Sequence, residues 1–356
     1  MADLIQQTEC GLFCQAGNFY IDPWQSVDQA VITHAHSDHA RVGSRAYLTA
    51  DSGAGLLRER LGPDAAIQAM PFGQPIEMNG VRLSFHPAGH VLGSAQVRVE
   101  HRGEVWVVSG DYKIQHDGTC EPFEVVPCHV FITESTFGLP IYRWRSPEIV
   151  FNEINQWWRE NQEHKRTSIL FAYALGKAQR VLAGIDASIG PIVVHGAVAR
   201  FRPVYQSAGV KLPVTNAAEP AFVKSVRGTA LVIAPPSASN TPWLRKFGRQ
   251  SSAFASGWMQ VRGNRRRANV DRGFVLSDHV DWDGLLGAIR ATGAQRIGVT
   301  HGYTEATARY LNENGLSAQI YHTRFSNTGE EEPETSEHLS QPSAERSERK
   351  ALKINE

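Results

Sequence analysis

The chain has 356 residues, 42% of them hydrophobic, with 36 acidic and 36 basic side chains and a formal net charge of zero. This length and apolar content support one large or two moderate cores. No apolar run approaches the ~20 residues of a membrane span, and the N-terminus lacks the pattern of a secretion signal. Four cysteines, Cys10, Cys14, Cys120 and Cys128, show neither zinc-ribbon spacing nor the density of a disulfide scaffold, so a reduced, cytoplasmic protein is expected.

The zero sum hides an asymmetry. Residues 143–275 carry 20 Lys/Arg against 7 Asp/Glu, a net of +13, residues 326–356 a net of −4, and the remainder a net of −9. A middle segment so basic suits a polyanionic partner, because Lys and Arg contacts to phosphate dominate affinity for nucleic acid.

In chain order, a short apolar run at 17–21 ends on Asp22. Residues 33–40 read Thr-His-Ala-His-Ser-Asp-His-Ala, which puts His34, His36, Asp38 and His39 within six positions. Imidazole and carboxylate together suit borderline and harder cations, and the alternation aims neighbouring ligands at two points, as two adjacent ions require. A helix is expected over 52–60. A strand at 81–85 leads to His90, whose Gly-His-x-x-Gly-Ser setting favours it over His86 as a ligand. Strands at 105–111 and 130–136 end on Asp111 and Glu134.

From Ser146 the pattern changes. Ser146, Pro147 and Glu148 form a helix start, followed by apolar Ile149, Val150, Ile154 and Trp157 at helical spacing. Strands at 168–173, 191–195 and 230–235 alternate with helical stretches, one of them over 175–182, which predicts a parallel sheet with crossover helices. Lys177 starts a helix after Gly176 and reads either as a phosphate contact or as an ordinary exposed lysine. Arg262, Arg265, Arg266 and Arg267 form the densest basic run and read as backbone contacts to nucleic acid. Trp258, just before them, reads first as a core aromatic and second as a stacking partner. Strands at 273–279 and 297–302 then bring in His279 and His301. Strand ends that share one sheet edge converge on one cleft. From Ser326 the chain is rich in Glu, Ser, Pro and Lys, and a disordered tail is expected over 326–356.

Asp22, the His34-to-His39 cluster, His90 and Asp111, in that order, resemble the four signature motifs of the metallo-β-lactamase fold. Glu134, His279 and His301 resemble motifs A, B and C of its β-CASP nuclease branch. The likeness covers about residues 9 to 325. Residues 109–113, 173–177 and 255–258 are similar to Artemis-type DNA nucleases and to small bacterial members encoded beside an ATP-dependent DNA ligase and a helicase. Glu134 and His301 depart from the Artemis type and look more like the RNA-cleaving branch.

The resemblance implies an α/β fold, a four-layer αββα metallo-β-lactamase sandwich with an inserted α/β β-CASP domain. Residues 1–142 and 273–325 would build the sandwich and 143–272 the insertion. His34, His36 and His90 would hold one metal ion, Asp38, His39 and His301 a second, with Asp111 bridging and Asp22 orienting the ligands from behind. His279 would protonate the leaving oxygen, with Glu134 as its partner. Two cations about 3.5–4 Å apart can activate water and neutralise phosphate charge, and a carboxylate beside a histidine raises its pKa and favours the acid form. The expected protein is therefore a DNA nuclease dependent on two divalent ions, Mn²⁺ or Zn²⁺, acting on single strands or unpaired ends in repair. Internal cleavage is preferred over exonuclease action, and functional association with the ligase and helicase is implied. The alternative is a ribonuclease with the same site.

Overall fold

The computed structural model describes residues 3–323. The tail expected at 326–356 lies outside the described residues, as do the last two residues of the segment 273–325. The protein is mixed α/β, with three sheets.

The first sheet has the order β1 (Gln6–Thr8), β2 (Gly11–Cys14), β3 (Phe19–Ile21), β4 (Gln29–Ile32), β5 (Ala46–Ala50), β6 (Ile67–Met70), and it is parallel from β3 onward. The second contains β7 (Ile76–Met78), β8 (Val81–Pro87), β9 (Ala95–His101), β10 (Glu104–Val108), β11 (Val130–Ser135), β17 (Arg296–Gly302) and β18 (Ser317–Ile320). Its order, β18-β17-β11-β10-β9-β8-β7, seats a late strand beside one formed much earlier in the chain. The third sheet, ordered β13-β14-β12-β15-β16, comprises β12 (Thr167–Phe171), β13 (Ile192–Val194), β14 (Leu231–Ala234), β15 (Gln250–Ala255) and β16 (Arg272–Phe274). All its pairings are parallel, as the alternating pattern of that segment predicts.

Ten α-helices connect these strands among the described residues: α1 (Ala54–Leu61), α2 (Pro147–Glu163), α3 (Lys177–Gly184), α4 (Gly196–Ala199), α5 (Arg202–Ser207), α6 (Pro220–Ser225), α7 (Pro242–Arg245), α8 (Arg262–Arg267), α9 (Trp282–Thr292) and α10 (Thr304–Glu313). Proline in its first turn and Glu148 start α2, but the Ser146 hydroxyl pairs with the Glu148 carboxylate and not with a backbone amide. Its Val150, Ile154, Trp157 and Trp158 are buried along one face. Asp281 caps α9 by accepting from Gly284 N at 2.9 Å, and Gly293 ends it in the left-handed region.

The first two sheets face each other over one core, with Phe19, Ile21, Val31 and Leu48 packed against Leu83, Phe85, Val97 and Trp106. On the other face of the second sheet, Phe131, Ile297 and Val299 bury Leu285 and Ile289 of α9 and Leu311 of α10. The other face of the first sheet is covered by α1 and joins a larger core. There Ala30 and Ile32 belong to one cluster with Trp157 and Trp158 of α2, Leu182 of α3, and Leu170 and Ile233 of the third sheet. The third sheet is thus packed onto the body that carries the metal-capable residues.

One expected element is shorter than its sequence suggests. The run at 273–279 is a strand only over Arg272–Phe274, paired to β15 in the third sheet. Residues 275–281 then cross irregularly to the second sheet, and this crossing delivers His279.

Candidate metal centre

The site forms where parallel strands end. Asp22 follows β3 and the His34-to-His39 loop follows β4, neighbours in the first sheet; Asp111 follows β10, Glu134 closes β11 and His301 closes β17, neighbours in the second. Asp22 and His301 take left-handed backbone angles, φ 44° and 51°, which non-glycine residues adopt rarely. Glycine makes two close approaches possible. A Cβ on Gly110 would lie 2.7 Å from Thr33, and one on Gly93 would lie 2.0 Å from the backbone of Gly53, so bare backbone is what lets the Asp111 and His90 loops close on the first sheet.

Three carboxylate–imidazole groups meet here: His34, His36, His90 and Asp111; Asp38, His39 and His301; and Asp111, Glu134 and His279, each with ligand atoms within 4.8 Å of one another. In the first, His36 Nδ1 lies 3.1 Å from both His34 Nε2 and His90 Nε2, and Asp111 Oδ2 lies 3.5 and 3.8 Å from those two Nε2 atoms. Asp111 Oδ2 is also 3.4 Å from His39 Nε2, so one oxygen serves both metal-capable sets. His39 and His301 stack with centroids 5.2 Å apart.

Partners behind the rings fix their tautomers. His90 Nδ1 donates to the Asp278 carbonyl at 2.7 Å and His36 Nε2 to the Leu175 carbonyl at 3.1 Å. Thr33 Oγ1 donates to Asp22 Oδ2 at 2.5 Å and so accepts from His34 Nδ1 at 3.0 Å, while His39 Nδ1 donates to Asp22 Oδ2 at 2.7 Å. Each ring therefore turns a lone pair inward. Lone pairs 3.1 Å apart repel unless a cation lies between them, and His39 Nε2 is buried with no hydrogen-bond partner. The residues present fit divalent metal ions, with imidazoles oriented from behind as metal-binding histidines are.

Burial pushes the imidazoles of His34 and His90 well below the usual histidine value, helped by His39 for the first and His279 for the second. Neutral imidazole is the coordinating form. Burial opposes charge on His39 as well, but Asp111, Asp38 and Asp22 raise its pKa well above the usual value, so this corner calls for positive charge. Asp111 is also opposed by burial, yet His39 and His279 hold it well below the carboxylate range.

His279 Nδ1 lies 2.9 and 3.0 Å from the Glu134 oxygens and 4.0 Å from Asp111. Burial lowers its pKa, but Glu134 and then Asp111 outweigh this and raise it to about 9. Glu134 is fully buried and also accepts from Tyr112 N at 2.8 Å. Trp144 Nε1 donates to the His279 carbonyl at 2.9 Å, and Phe137 packs 5.9 Å from the ring.

The expected nucleic-acid contacts separate. Lys177 is buried, 3% exposed, with its ammonium 2.7 Å from Asp278, so it is neither a surface phosphate contact nor an exposed lysine. Arg262, Arg265, Arg266 and Arg267 are exposed on α8. Trp258, half-buried, packs 4.6 Å from Phe137 and 6.4 Å from Tyr303, in an aromatic group that reaches His279 through Phe137. Asp278 is not legible as a site residue in the sequence, because a carboxylate that binds cations through the fold has no local signature.

The scaffold and this pocket define a class: a mixed α/β protein whose paired histidine–aspartate clusters fit divalent ions at the C-terminal ends of its strands. No protein-family model matches the chain. A probable DNA ligase of Opitutus terrae is 31% identical over 311 residues, 86% of this chain and 30% of that protein. Endoribonuclease YSH1 of Eremothecium gossypii is 29% identical over 122 residues, and Cleavage and polyadenylation specificity factor 73 of Drosophila melanogaster 31% over 122, each match covering 34% of this chain. This chain spans 30%, 16% and 18% of these three relatives. A crystal structure of a protein of unknown function from Enterococcus faecalis V583 shares the fold at TM-score 0.56 and 12% identity, covering 84% of this chain and 79% of that one. The chain belongs to the metallo-β-lactamase/β-CASP nuclease family, and the Opitutus match fits its ligase-associated branch.

Proposed function

We propose that the protein is a nuclease dependent on two divalent metal ions, Mn²⁺ or Zn²⁺, that hydrolyses phosphodiester bonds in single-stranded DNA or unpaired DNA ends during repair. The observation that carries this reading is the single Asp111 oxygen within 3.8 Å of His34, His39 and His90, with a partly exposed His279 paired to buried Glu134 beside it. In this reading His34, His36, His90 and Asp111 hold one ion and Asp38, His39, His301 and Asp111 the other, with Asp22 orienting the ligands from behind. When bound, such ions supply an activated water and neutralise phosphate charge. His279 holds the proton for the leaving oxygen at its Nε2, and Glu134 orients the ring through Nδ1. Asp38 lines the approach to the second ion.

The substrate crosses between the metal-binding body and the third-sheet segment, with the α8 arginines tracking backbone phosphates and Trp258 at the rim for base stacking. Lys177 takes no part in substrate contact in this reading. The segment 143–272 is read as the inserted domain, with β16 completing its sheet through Phe274, on a four-layer αββα parent formed by 1–142 and 273–325. The match with a probable DNA ligase supports DNA and work beside a ligase, and a helicase partner and a cytoplasmic setting are part of the same proposal. Among the described residues no helix is long and apolar enough to cross a membrane.

A ribonuclease reading has its own support in the endoribonuclease name of the Eremothecium relative and in Glu134 and His301. Incubation of metal-loaded protein with circular single-stranded DNA, linear duplex DNA and RNA decides between them. Cutting of the circle gives a DNA endonuclease, and cutting of linear DNA alone gives an exonuclease. Intact DNA beside degraded RNA overturns the DNA reading.

A further inference from the structure

Behind His90 lies a buried ion cluster whose side chains have no assigned part in coordination or proton transfer. Asp278 Oδ2 meets Lys177 Nζ at 2.7 Å and its Oδ1 meets Arg180 Nη1 at 2.9 Å; Asp117 Oδ2 meets Lys113 Nζ at 2.6 Å and Arg180 Nε at 3.0 Å. Lys113, Lys177, Arg180 and Asp278 are each no more than 4% exposed. Lys177 and Arg180 stand on α3, after β12 of the third sheet. Lys113 and Asp117 follow β10 of the second, and Asp278 sits in the crossing between the two sheets.

The cluster therefore ties α3 to the metal-binding body, and it does so at the points that orient two ligands. Arg180 also donates to the Ser277 carbonyl, and the next carbonyl, Asp278, receives His90 Nδ1. On the other side, Leu175, whose carbonyl receives His36 Nε2, is two residues before Lys177. That turn is locked: Gly176 N donates to Gln179 Oε1 at 2.8 Å and Gln179 Nε2 donates to the Ala174 carbonyl at 3.0 Å. Two imidazoles of the first ligand set thus owe their direction to backbone that the ion cluster pins.

A buried ion cluster is a poor source of stability, since apolar groups of similar volume do as well or better. What charges give in exchange is geometry, because buried cations must meet their few carboxylate partners in a defined arrangement.

We propose that the Lys113–Asp117–Arg180–Asp278–Lys177 cluster is a latch that couples the seating of α3 to retention of the first metal ion, with Asp278 as a positioning residue. The latch rests on the two-metal reading of the site. Breaking it frees the Leu175 and Asp278 carbonyls to move, the rings of His36 and His90 lose their fixed direction, and the first ion is held less tightly. The second ion is held by Asp38, His39 and His301, whose partners lie elsewhere. Outer partners of metal-binding histidines typically contribute about 10–100-fold in affinity.

The test loads the full chain and its variants with Zn²⁺, dialyses them against a graded chelator series, and counts ions per chain by atomic emission. The parent releases its ions at two chelator concentrations. Asp278→Asn is expected to release one ion at about 10–100-fold lower chelator and the other at the parental concentration. Lys177→Gln, which keeps every carboxylate paired and so folds readily, shows the same selective release with a smaller shift. Val232→Ala, a cavity in the far core of the third sheet, retains both ions as the parent does. The latch is overturned if both latch variants release ions as the parent does, or if Val232→Ala sheds an ion as early as Asp278→Asn. A parent chain that binds no Zn²⁺ overturns the metal centre itself, a separate failure visible before any variant is compared.

Discussion

Glu134 Oε2 sits 2.9 Å from Nδ1 of His279, and the same carboxylate accepts the amide of Tyr112. The glutamate closes β11 and the histidine arrives in an irregular crossing 145 positions later. This pairing leaves Nε2 of the ring free for chemistry. His279→Ala is expected to lower the turnover rate by about 10²–10⁴-fold while the bound-ion count stays at the parental value. Rates measured beside metal analysis decide it, and loss of an ion would make His279 a ligand.

Asp111 is the point where the proposed ligand sets join. Asp111→Ala is expected to abolish cleavage and to lower the ion count, since it removes a ligand from both clusters and leaves buried imidazoles facing one another. Full metal occupancy with residual cleavage of more than a few per cent would contradict a shared ligand.

Asp22 touches no proposed metal position but holds His39 directly and His34 through Thr33. Asp22→Ala is expected to weaken metal affinity by about 10–100-fold. Isothermal titration of the metal-free chain with Zn²⁺ measures this, and unchanged affinity would reduce Asp22 to a structural cap.

Asp117 contributes to the loss of stability in acid. Burial opposes its charge, but Lys113 and Arg180 overcome this and hold its carboxyl below the usual range. A carboxyl depressed in the fold stabilises fully above its unfolded pKa of about 3.9, and that contribution is lost as pH falls through the lower folded value. Asp117→Asn is expected to cost about 3–5 kcal/mol at pH 7, with the gap to the parent narrowing below about pH 4. Urea unfolding across that range tests it; a gap that widens in acid would reverse the sign.

The exposed arginines of α8 carry the prediction about substrate. Arg265→Glu with Arg266→Glu is expected to weaken binding of single-stranded DNA and to flatten its dependence on salt by roughly 0.7 for each phosphate no longer neutralised. Fluorescence anisotropy at several salt concentrations measures both, and unchanged slopes would place the strand elsewhere.

Much of the pocket is legible from residue types alone, because His34, His36, Asp38 and His39 are crowded into six positions and the other candidates stand where short apolar runs stop. A run of apolar residues cannot say which sheet it joins, so 273–279 reads as one strand although only Arg272–Phe274 pairs, and does so in the third sheet. The strands Ile67–Met70 and Ile76–Met78, only four and three residues long and partly exposed, are too short for their pattern to mark a strand. Lys177 escapes the sequence for a different reason. Its helix-start position is local, but its burial against Asp278 depends on a residue 101 positions away that no local pattern encodes.

The strand carrying His301 enters the middle of the second sheet, between β18 and β11, rather than an edge. While the chain is being synthesised, β11 must wait with one side unpaired until some 160 further residues have emerged. For that interval the product is a half-built vessel, unable to bring His301 to Asp38 and His39 and offering a bare hydrogen-bonding margin to other chains. On the two-ion reading, a chain halted before β17 would therefore lack the Asp38–His39–His301 group altogether, and its open edge would be prone to stick.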